Sequence, residues 1–231
     1  MTRGGADGMP APMNPWLTEL RDSYDKLADK YAERVYGELA HKPYDRALLD
    51  EFADRLRGRG LVCDLGCGPG HVARYLRDRG VEVCGVDLSP AMVAKARALS
   101  PEIPFSEGNM LALDIPDSAF AGVAAFYSII HVPRAEAGLA VREIHRALKT
   151  EGFCILAFHL GDDAMHVDEL WGEEVSIDCT FYRIDEMEGH LRAAGFVIEL
   201  RHERDPYPEV EYPSRRGYIL ARKPANTTIP R

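Results

Sequence analysis

The stretch Val62-Cys63-Asp64-Leu65-Gly66-Cys67-Gly68-Pro69-Gly70-His71 constrains this chain more than any other. An apolar run, Leu61, Val62 and Leu65, reads as a strand that ends beside an acid and enters a tight glycine turn. Gly66, Gly68 and Gly70 allow positive φ and a close approach of backbone to a ligand. A helix is expected from about His71, with Val72, Ala73 and Leu76 on one face, so its free N–H groups face the turn. The spacing argues about the ligand. A dinucleotide fingerprint needs G-x-G-x-x-G; here the third glycine comes one residue early and His71 takes its place. No Gly-Lys-Ser/Thr follows, so the turn is not a phosphate-cradling P-loop. The next unit, Val81-Glu82-Val83-Cys84-Gly85-Val86-Asp87, is a second strand ending in an acid. Asp87 is placed to accept the two hydroxyls of a ribose.

Strand and helix patterns then alternate: strand 61–65, helix 71–79, strand 81–86, helix 90–99, strands 103–106 and 120–127, helix 134–148, strand 152–159. Alternation of this kind calls for parallel strands with right-handed crossovers and helices on both faces. Upstream, Leu17, Leu20, Tyr24, Leu27, Tyr31 and Val35 recur at spacings of three and four, a helical face. Residues 1–15, rich in Gly, Pro and Met, read as a flexible arm, and 16–58 as a helical lid. Residues 59–223 form the main domain, with an irregular cap insertion around 161–183. A helix is expected near 184–194, then strands 196–203 and 216–222, and a frayed tail over 224–231.

Four segments together resemble the class I S-adenosylmethionine-dependent methyltransferases: Asp64-Leu65-Gly66-Cys67-Gly68-Pro69-Gly70, Val86-Asp87-Leu88-Ser89, Gly108-Asn109-Met110 and Leu148-Lys149-Thr150-Glu151-Gly152-Phe153. The resemblance implies an α/β, Rossmann-like sheet of seven strands, mostly parallel, with the last strand antiparallel. It implies S-adenosyl-L-methionine as cofactor and S-adenosyl-L-homocysteine as product. Asp64, Gly66, Gly68 and Gly70 are expected to hold the methionine end and Asp87 the ribose. Leu88 is expected to pack on the adenine, Asn109 and Met110 to meet its edge, and Phe126 to line the cofactor site. Asn109 stands where the family often has Asp, which keeps an acceptor and loses a charge. The segment Tyr24–Tyr31 looks like the lid helix of small-molecule methyltransferases, where a tyrosine hydroxyl faces the cofactor. Core packing is the competing reading for Tyr24 and Tyr31.

Net charge is −9 over 231 residues, which argues against a duplex nucleic-acid partner. No apolar run reaches the length of a membrane span, and residues 1–8 do not read as a signal peptide. Five cysteines, mostly in or beside buried strands, suggest reduced thiols and a cytoplasmic protein. Cys63 and Cys67 straddle the turn with no second pair at zinc spacing, so no metal is expected.

His131 and His159 follow the ends of neighbouring strands at the ligand edge, which makes them candidate bases. His131 is read equally well as a brace for the turn at Pro133. Tyr127, His166, Trp171 and Tyr182 are candidate substrate-pocket residues, with plugging of the domain's open end as the plainer reading. The place after the fourth strand reads Ala125-Phe126-Tyr127-Ser128. It lacks the Asp/Asn-Pro-Pro-Tyr/Phe of amino-methylating DNA enzymes and the acids of metal-dependent catechol enzymes. Segments His131–Arg134, Ala157–Asp162 and Tyr212–Arg216 resemble bacterial, mainly actinobacterial, small-molecule methyltransferases, a background rich in secondary metabolism. The expected acceptor is therefore a small aromatic or indole-type molecule methylated at N, O or C. A non-catalytic cofactor-binding protein, or cyclisation or decarboxylation on the same fold, are the alternatives.

Overall fold

The computed structural model describes residues 14–225. Its strands in chain order are β1 (Val62–Leu65), β2 (Val83–Asp87), β3 (Phe105–Glu107), β4 (Phe120–Phe126), β5 (Leu148–His159), β6 (Ala164–Leu170), β7 (Glu173–Thr180), β8 (Val197–Arg204) and β9 (Arg216–Arg222). Seven of them form one sheet in the order β3-β2-β1-β4-β5-β9-β8. β1 to β5 run parallel, and β9 runs antiparallel to both of its neighbours. The architecture is the one the resemblance implied. β1 is buried throughout and β4 along all but its last residue, as strands covered on both faces must be.

The pleat sends alternate residues to two apolar layers. Ala124, Ile155 and Ala157 meet α2 (Pro43–Leu56), α3 (His71–Arg77) and α4 (Pro90–Leu99) through Leu49, Phe52, Leu76 and Val93. Val123, Ala125, Leu156 and Phe158 meet α5 (Ala137–Ala147) and α6 (Ile184–Ala193) through Val141, Ile144, Met187 and Leu191. α1 (Pro15–Val35) joins this second layer through Leu20 and Leu27. Within the expected helical lid of 16–58, α1 alone covers the site, because α2 carries its apolar stripe to the opposite face. The expected arm lies outside the described residues except for Asn14 and Pro15, and Pro15 opens α1. Of the expected tail, 226–231 also lie outside them.

Two boundaries differ from the periodicity by three residues or more, and several others by one or two. The expected helix 134–148 begins as a 3-10 turn, Arg134–Glu136, before α5. β5 starts at Leu148, which already pairs with Phe120 across a register shift. The larger difference is the segment 161–183, expected to be irregular. It contains an antiparallel hairpin, β6–β7. Leu170 pairs with Glu173 across a two-residue turn in which Trp171 and Gly172 both have positive φ, 55° and 82°. That is the type I′ geometry that matches strand twist. Val175, Ile177 and Cys179 alternate into the core.

The hairpin and α1 are fastened to each other. Lys30 Nζ lies 2.6 Å from Glu173 and donates to the Trp171 carbonyl at 3.2 Å. Ser23 Oγ accepts from the Ser176 N–H at 2.9 Å, and Lys26 donates to the Glu174 carbonyl at 3.0 Å. On its other side α1 docks on the start of α4, where Asp25 accepts from the Ala91 N–H at 3.1 Å and from the Ser89 hydroxyl. Ser89 also caps α4 by accepting from the Met92 N–H at 3.0 Å. α1 and the hairpin therefore form one cover over the carboxyl end of the sheet.

Candidate functional site

Under that cover lies a cavity of about 820 Å³, its open mouth included. The floor is the glycine turn after β1. Gly66 has φ +72°, and a Cβ there would sit 2.2 Å from the Ser128 Cβ. Gly68 has φ +51° and lies under the Tyr31 ring edge, which a Cβ at this position would meet at 3.7 Å, an ordinary van der Waals distance. Asp87, at the end of β2, fixes the turn from behind. Its carboxylate accepts from the Gly68 N–H at 2.7 Å and the Ser89 N–H at 2.9 Å. A carboxylate offers about four acceptor positions, so capacity for ligand hydroxyls remains. Burial pulls the Asp87 carboxyl above its usual range, against the opposing pull of those N–H donors.

Leu88, Met92 and Met110 give the cavity an apolar flank beside Asn109. The Asn109 side-chain oxygen accepts from the Leu111 N–H at 2.9 Å, closing its own loop. On the cover, Tyr24 and Tyr31 meet edge to face with centroids 5.6 Å apart, and Tyr31 also contacts Trp171. Trp16, Leu17 and Leu20 extend this wall toward Phe126, His131 and Val132. Two buried ring nitrogens in the lining, Trp16 Nε1 and His71 Nδ1, have no hydrogen-bond partner among the described residues. Orphan polar atoms in a cavity wall are what a site for a polar ligand leaves behind. His71 is oriented through its other nitrogen, 3.3 Å from Glu38, which in turn binds Lys42 at 2.8 Å. Burial works to raise the Glu38 carboxyl, but His71 and Lys42 override it and hold it at about 2.

Of the residues singled out in the sequence, Tyr24, Tyr31, Gly66, Gly68, Asp87, Leu88, Asn109, Met110, Phe126, Tyr127 and His131 line this cavity. The others stand elsewhere, each for a visible reason. Asp64 is buried beneath the turn and accepts from the Ala73 N–H at 2.9 Å, capping α3 from inside. Burial raises its carboxyl to about 7. Gly70 makes room within the core, since a Cβ there would meet the Phe105 ring at 2.7 Å. His159 turns to the far side of Tyr127, bonds Ser214 at 2.6 Å and stacks on Phe181. Burial, with Arg216 nearby, lowers it to about 3, so it stays neutral. His166 sits on the outer face of the hairpin opposite Asp178, to which it bonds at 2.7 Å. Trp171 occupies the hairpin turn under Arg34 and reaches the site only through Tyr31. Tyr182 is fully buried, and its hydroxyl donates to the Val132 carbonyl at 2.5 Å.

Tyr127 lines the cavity with one edge of its ring and anchors below it. Its φ is +53°, a left-handed backbone uncommon for a bulky residue. Its hydroxyl is held by Tyr218 at 2.8 Å and Asp45 at 3.1 Å. Trp16, Leu17, Leu20, His71, Ser128 and Val132 join the lining unforeseen. The α1 residues carried a signal, an apolar helical face, that core packing explains equally well. His71 carried only its adjacency to the turn.

Among the described residues, no three His, Cys, Asp or Glu side chains gather as a metal site, and no helix is long and apolar enough to cross a membrane.

Residues 62–152 match the family model described as a methyltransferase domain. A sterol 24-C-methyltransferase of Gibberella zeae is 29% identical over 74% of this chain and 48% of its own length. A demethylmenaquinone methyltransferase of Thermus thermophilus is 36% identical over 59% of this chain and 60% of its own. The chain spans about half the length of the first curated relatives it matches, 48% and 52%. An S-adenosylmethionine-dependent methyltransferase structure from Methanosarcina mazei superposes with TM-score 0.64 at 17% identity, covering 71% of this chain and 92% of that one, a likeness of fold. With the glycine turn, the acid at the end of β2 and the reversed last strand, these matches show a methyltransferase domain over residues 62–152, set on the fold of S-adenosylmethionine-dependent methyltransferases.

Proposed function

We propose that this chain binds S-adenosylmethionine in the cavity and transfers its methyl group to a small, largely apolar ring molecule without the help of a metal. The observation that carries this reading is the cavity floor at Gly68, roofed by the Tyr31 ring and tied to the Asp87 carboxylate that also lines the cavity. When bound there, the cofactor supplies a sulfonium methyl, already a strong electrophile. The protein's tasks are then alignment and exclusion of water. Asp87 is assigned the ribose, Leu88, Met92 and Met110 the adenine faces, and Gly66 and Gly68 the amino-acid end. Tyr24 and Tyr31 close over the centre. Asn109 meets the adenine edge with whatever capacity its bond to Leu111 leaves.

The acceptor is assigned to the other end, between Trp16, Leu17, Leu20, Phe126 and Val132. Those walls are apolar, which selects a molecule of the same character. Two of the relatives are named for apolar ring molecules, a sterol and demethylmenaquinone, while another is named for malonyl-[acyl-carrier protein]. His131 is the one histidine of the candidate bases that reaches this cavity.

Calorimetry tests the first half. S-adenosylhomocysteine is expected to bind and NAD to give no heat; silence toward S-adenosylhomocysteine and S-adenosylmethionine alike sinks the reading. Methyl-labelled cofactor offered with a panel of ring acceptors tests the second half through label in the product. The cover provides a graded check. Tyr31→Ala removes the ring above Gly68 and its edge contact with Tyr24. A loss of about 1 kcal/mol is expected, about five-fold in affinity for S-adenosylhomocysteine by calorimetry. Unchanged affinity means that α1 packs without gripping the ligand.

A further inference from the structure

His131 is held on both ring nitrogens. Nδ1 lies 3.1 Å from the backbone carbonyl of Asp178 on β7. A carbonyl only accepts, so Nδ1 carries the proton. In the neutral ring Nε2 then presents a lone pair, and the Tyr24 hydroxyl lies 2.7 Å from it. Tyr24 therefore donates to His131, and the approach to Nε2 is capped by the Tyr24 oxygen. Both residues line the cavity.

We propose, on the basis of the methyltransferase reading above, that Tyr24 and His131 form a proton relay and that the methylated atom is the oxygen of a phenol-type hydroxyl. An amine attacks a sulfonium as the free base, and its proton is lost afterwards to water. A hydroxyl is a poor nucleophile until its proton is being taken, so, unlike an amine, it needs a preformed path for that proton. The step balances. The acceptor oxygen forms the new C–O bond and leaves the S–C electron pair on sulfur. Its proton passes to the Tyr24 oxygen as the Tyr24 proton passes to His131 Nε2. The products are a methyl ether, a neutral thioether and an imidazolium, so the single positive charge is conserved. Tyr24 ends as it began.

The surroundings suit a ring that starts neutral. Burial lowers His131 from its usual value, while the Asp178 carbonyl and charge oppose the shift. Burial likewise raises the Tyr24 hydroxyl well above its usual value, so it relays a proton without ionising. From β7 come Asp178, whose carboxylate is turned to His166, and the Cys179 thiol 4.0 Å from Nδ1. From β5 comes His159, neutral and bonded to Ser214. Arg134, beside the neighbouring cavity that His131 also lines, is taken up by Glu186 and by the carbonyls of Asp162 and Phe181. Turnover on a hydroxyl acceptor is expected to fall as pH drops through the lowered His131 value, because protonation fills Nε2.

Nitrogen-15 NMR of histidine-labelled protein reads the relay without turnover. At pH 7 His131 is expected as the neutral Nδ1–H form, with an Nε2 resonance that Tyr24→Phe shifts toward that of an unbonded nitrogen. An Nε2–H form, an imidazolium, or no response to Tyr24→Phe overturns the relay. The acceptor class is read with 1-naphthol, 1-aminonaphthalene and indole and labelled cofactor. Label on the naphthol oxygen is expected, falling about 10²- to 10⁴-fold in Tyr24→Phe and His131→Asn. Label confined to the amine or the indole, or absent from the naphthol, overturns the hydroxyl assignment. Calorimetry with S-adenosylhomocysteine on the same samples separates this failure from failure of cofactor binding.

Discussion

Replacing Asp87 with asparagine is expected to weaken S-adenosylhomocysteine binding about ten- to a hundred-fold while the sheet stays folded. The carboxylate makes two kinds of bond at once. It holds the Gly68 and Ser89 N–H groups, one on each oxygen, and in the proposed complex it accepts the ribose hydroxyls. Asparagine has one acceptor oxygen, so its amide NH₂ faces one of those N–H groups as donor against donor. Either Gly68 loses its tie and the turn loosens, or Ser89 does and the start of α4 loosens. The ribose loses a charged acceptor in both cases. Hydrogen bonds to a charged group are worth about 1.5–3 kcal/mol, which converts to the stated loss. Calorimetry checks it, with circular dichroism as the control for folding. Affinity within two-fold of the wild type means the ribose is held elsewhere.

That prediction rests on residues legible in the sequence, for a physical reason. The turn after β1 and the acid at the end of β2 are local objects: glycine is needed where φ is positive, and a strand's last residue faces its carboxyl edge. Their relation needs only the parallel pairing of β1 with β2, which alternation of strands and helices already demands. The hairpin β6–β7 was less legible. β6 turns Met165 and Val167 inward, but a register shift between Val167 and Glu169 breaks its period of two before Leu170, so the strand pattern is faint. Once the hairpin forms, the same period sends His166 outward, and no count along the chain before it supplies that sign. His159 was misplaced for a related reason. The end of a strand fixes an edge of the sheet, but the ring turned toward Ser214, a partner 55 residues away. Asp64 shows the limit of a motif. An acid just before a glycine turn can face the ligand or the helix behind it, and here the Ala73 N–H claimed it.

The largest effect on stability is expected from Asp45→Ala. Asp45 is fully buried in the first turn of α2, and no motif marks it. One oxygen binds the Tyr127 hydroxyl at 3.1 Å; the other binds the Tyr218 hydroxyl at 3.1 Å and Arg204 at 2.7 Å. Arg204 is shared with Glu211, itself buried and close to Lys42 and Arg216. Removing Asp45 leaves buried cations with one carboxylate fewer and the Tyr127–Tyr218 pair of phenols with one hydroxyl proton unaccepted. Breaking one partner out of a buried pair costs about 3–5 kcal/mol, because the remaining charge is neither paired nor hydrated. For a chain of this size each kcal/mol lowers Tm by about 2–4 °C, so a fall of about 10 °C is expected by calorimetric melting. Asp45→Asn keeps an acceptor for the phenols and gives up the charge, so a smaller fall is expected. The consequence extends to the site. Tyr127 keeps its left-handed backbone at the cavity wall while its hydroxyl is tied to Asp45 and Tyr218. Loosening that tie frees the segment that leads to His131. Turnover of Asp45→Ala well below its melting point is therefore expected to fall further than its affinity for S-adenosylhomocysteine, since Asp87 and the glycine turn do not depend on Asp45. A melting shift under 2 °C, or an affinity loss as large as the loss of turnover, assigns the positioning of Tyr127 to the strand alone.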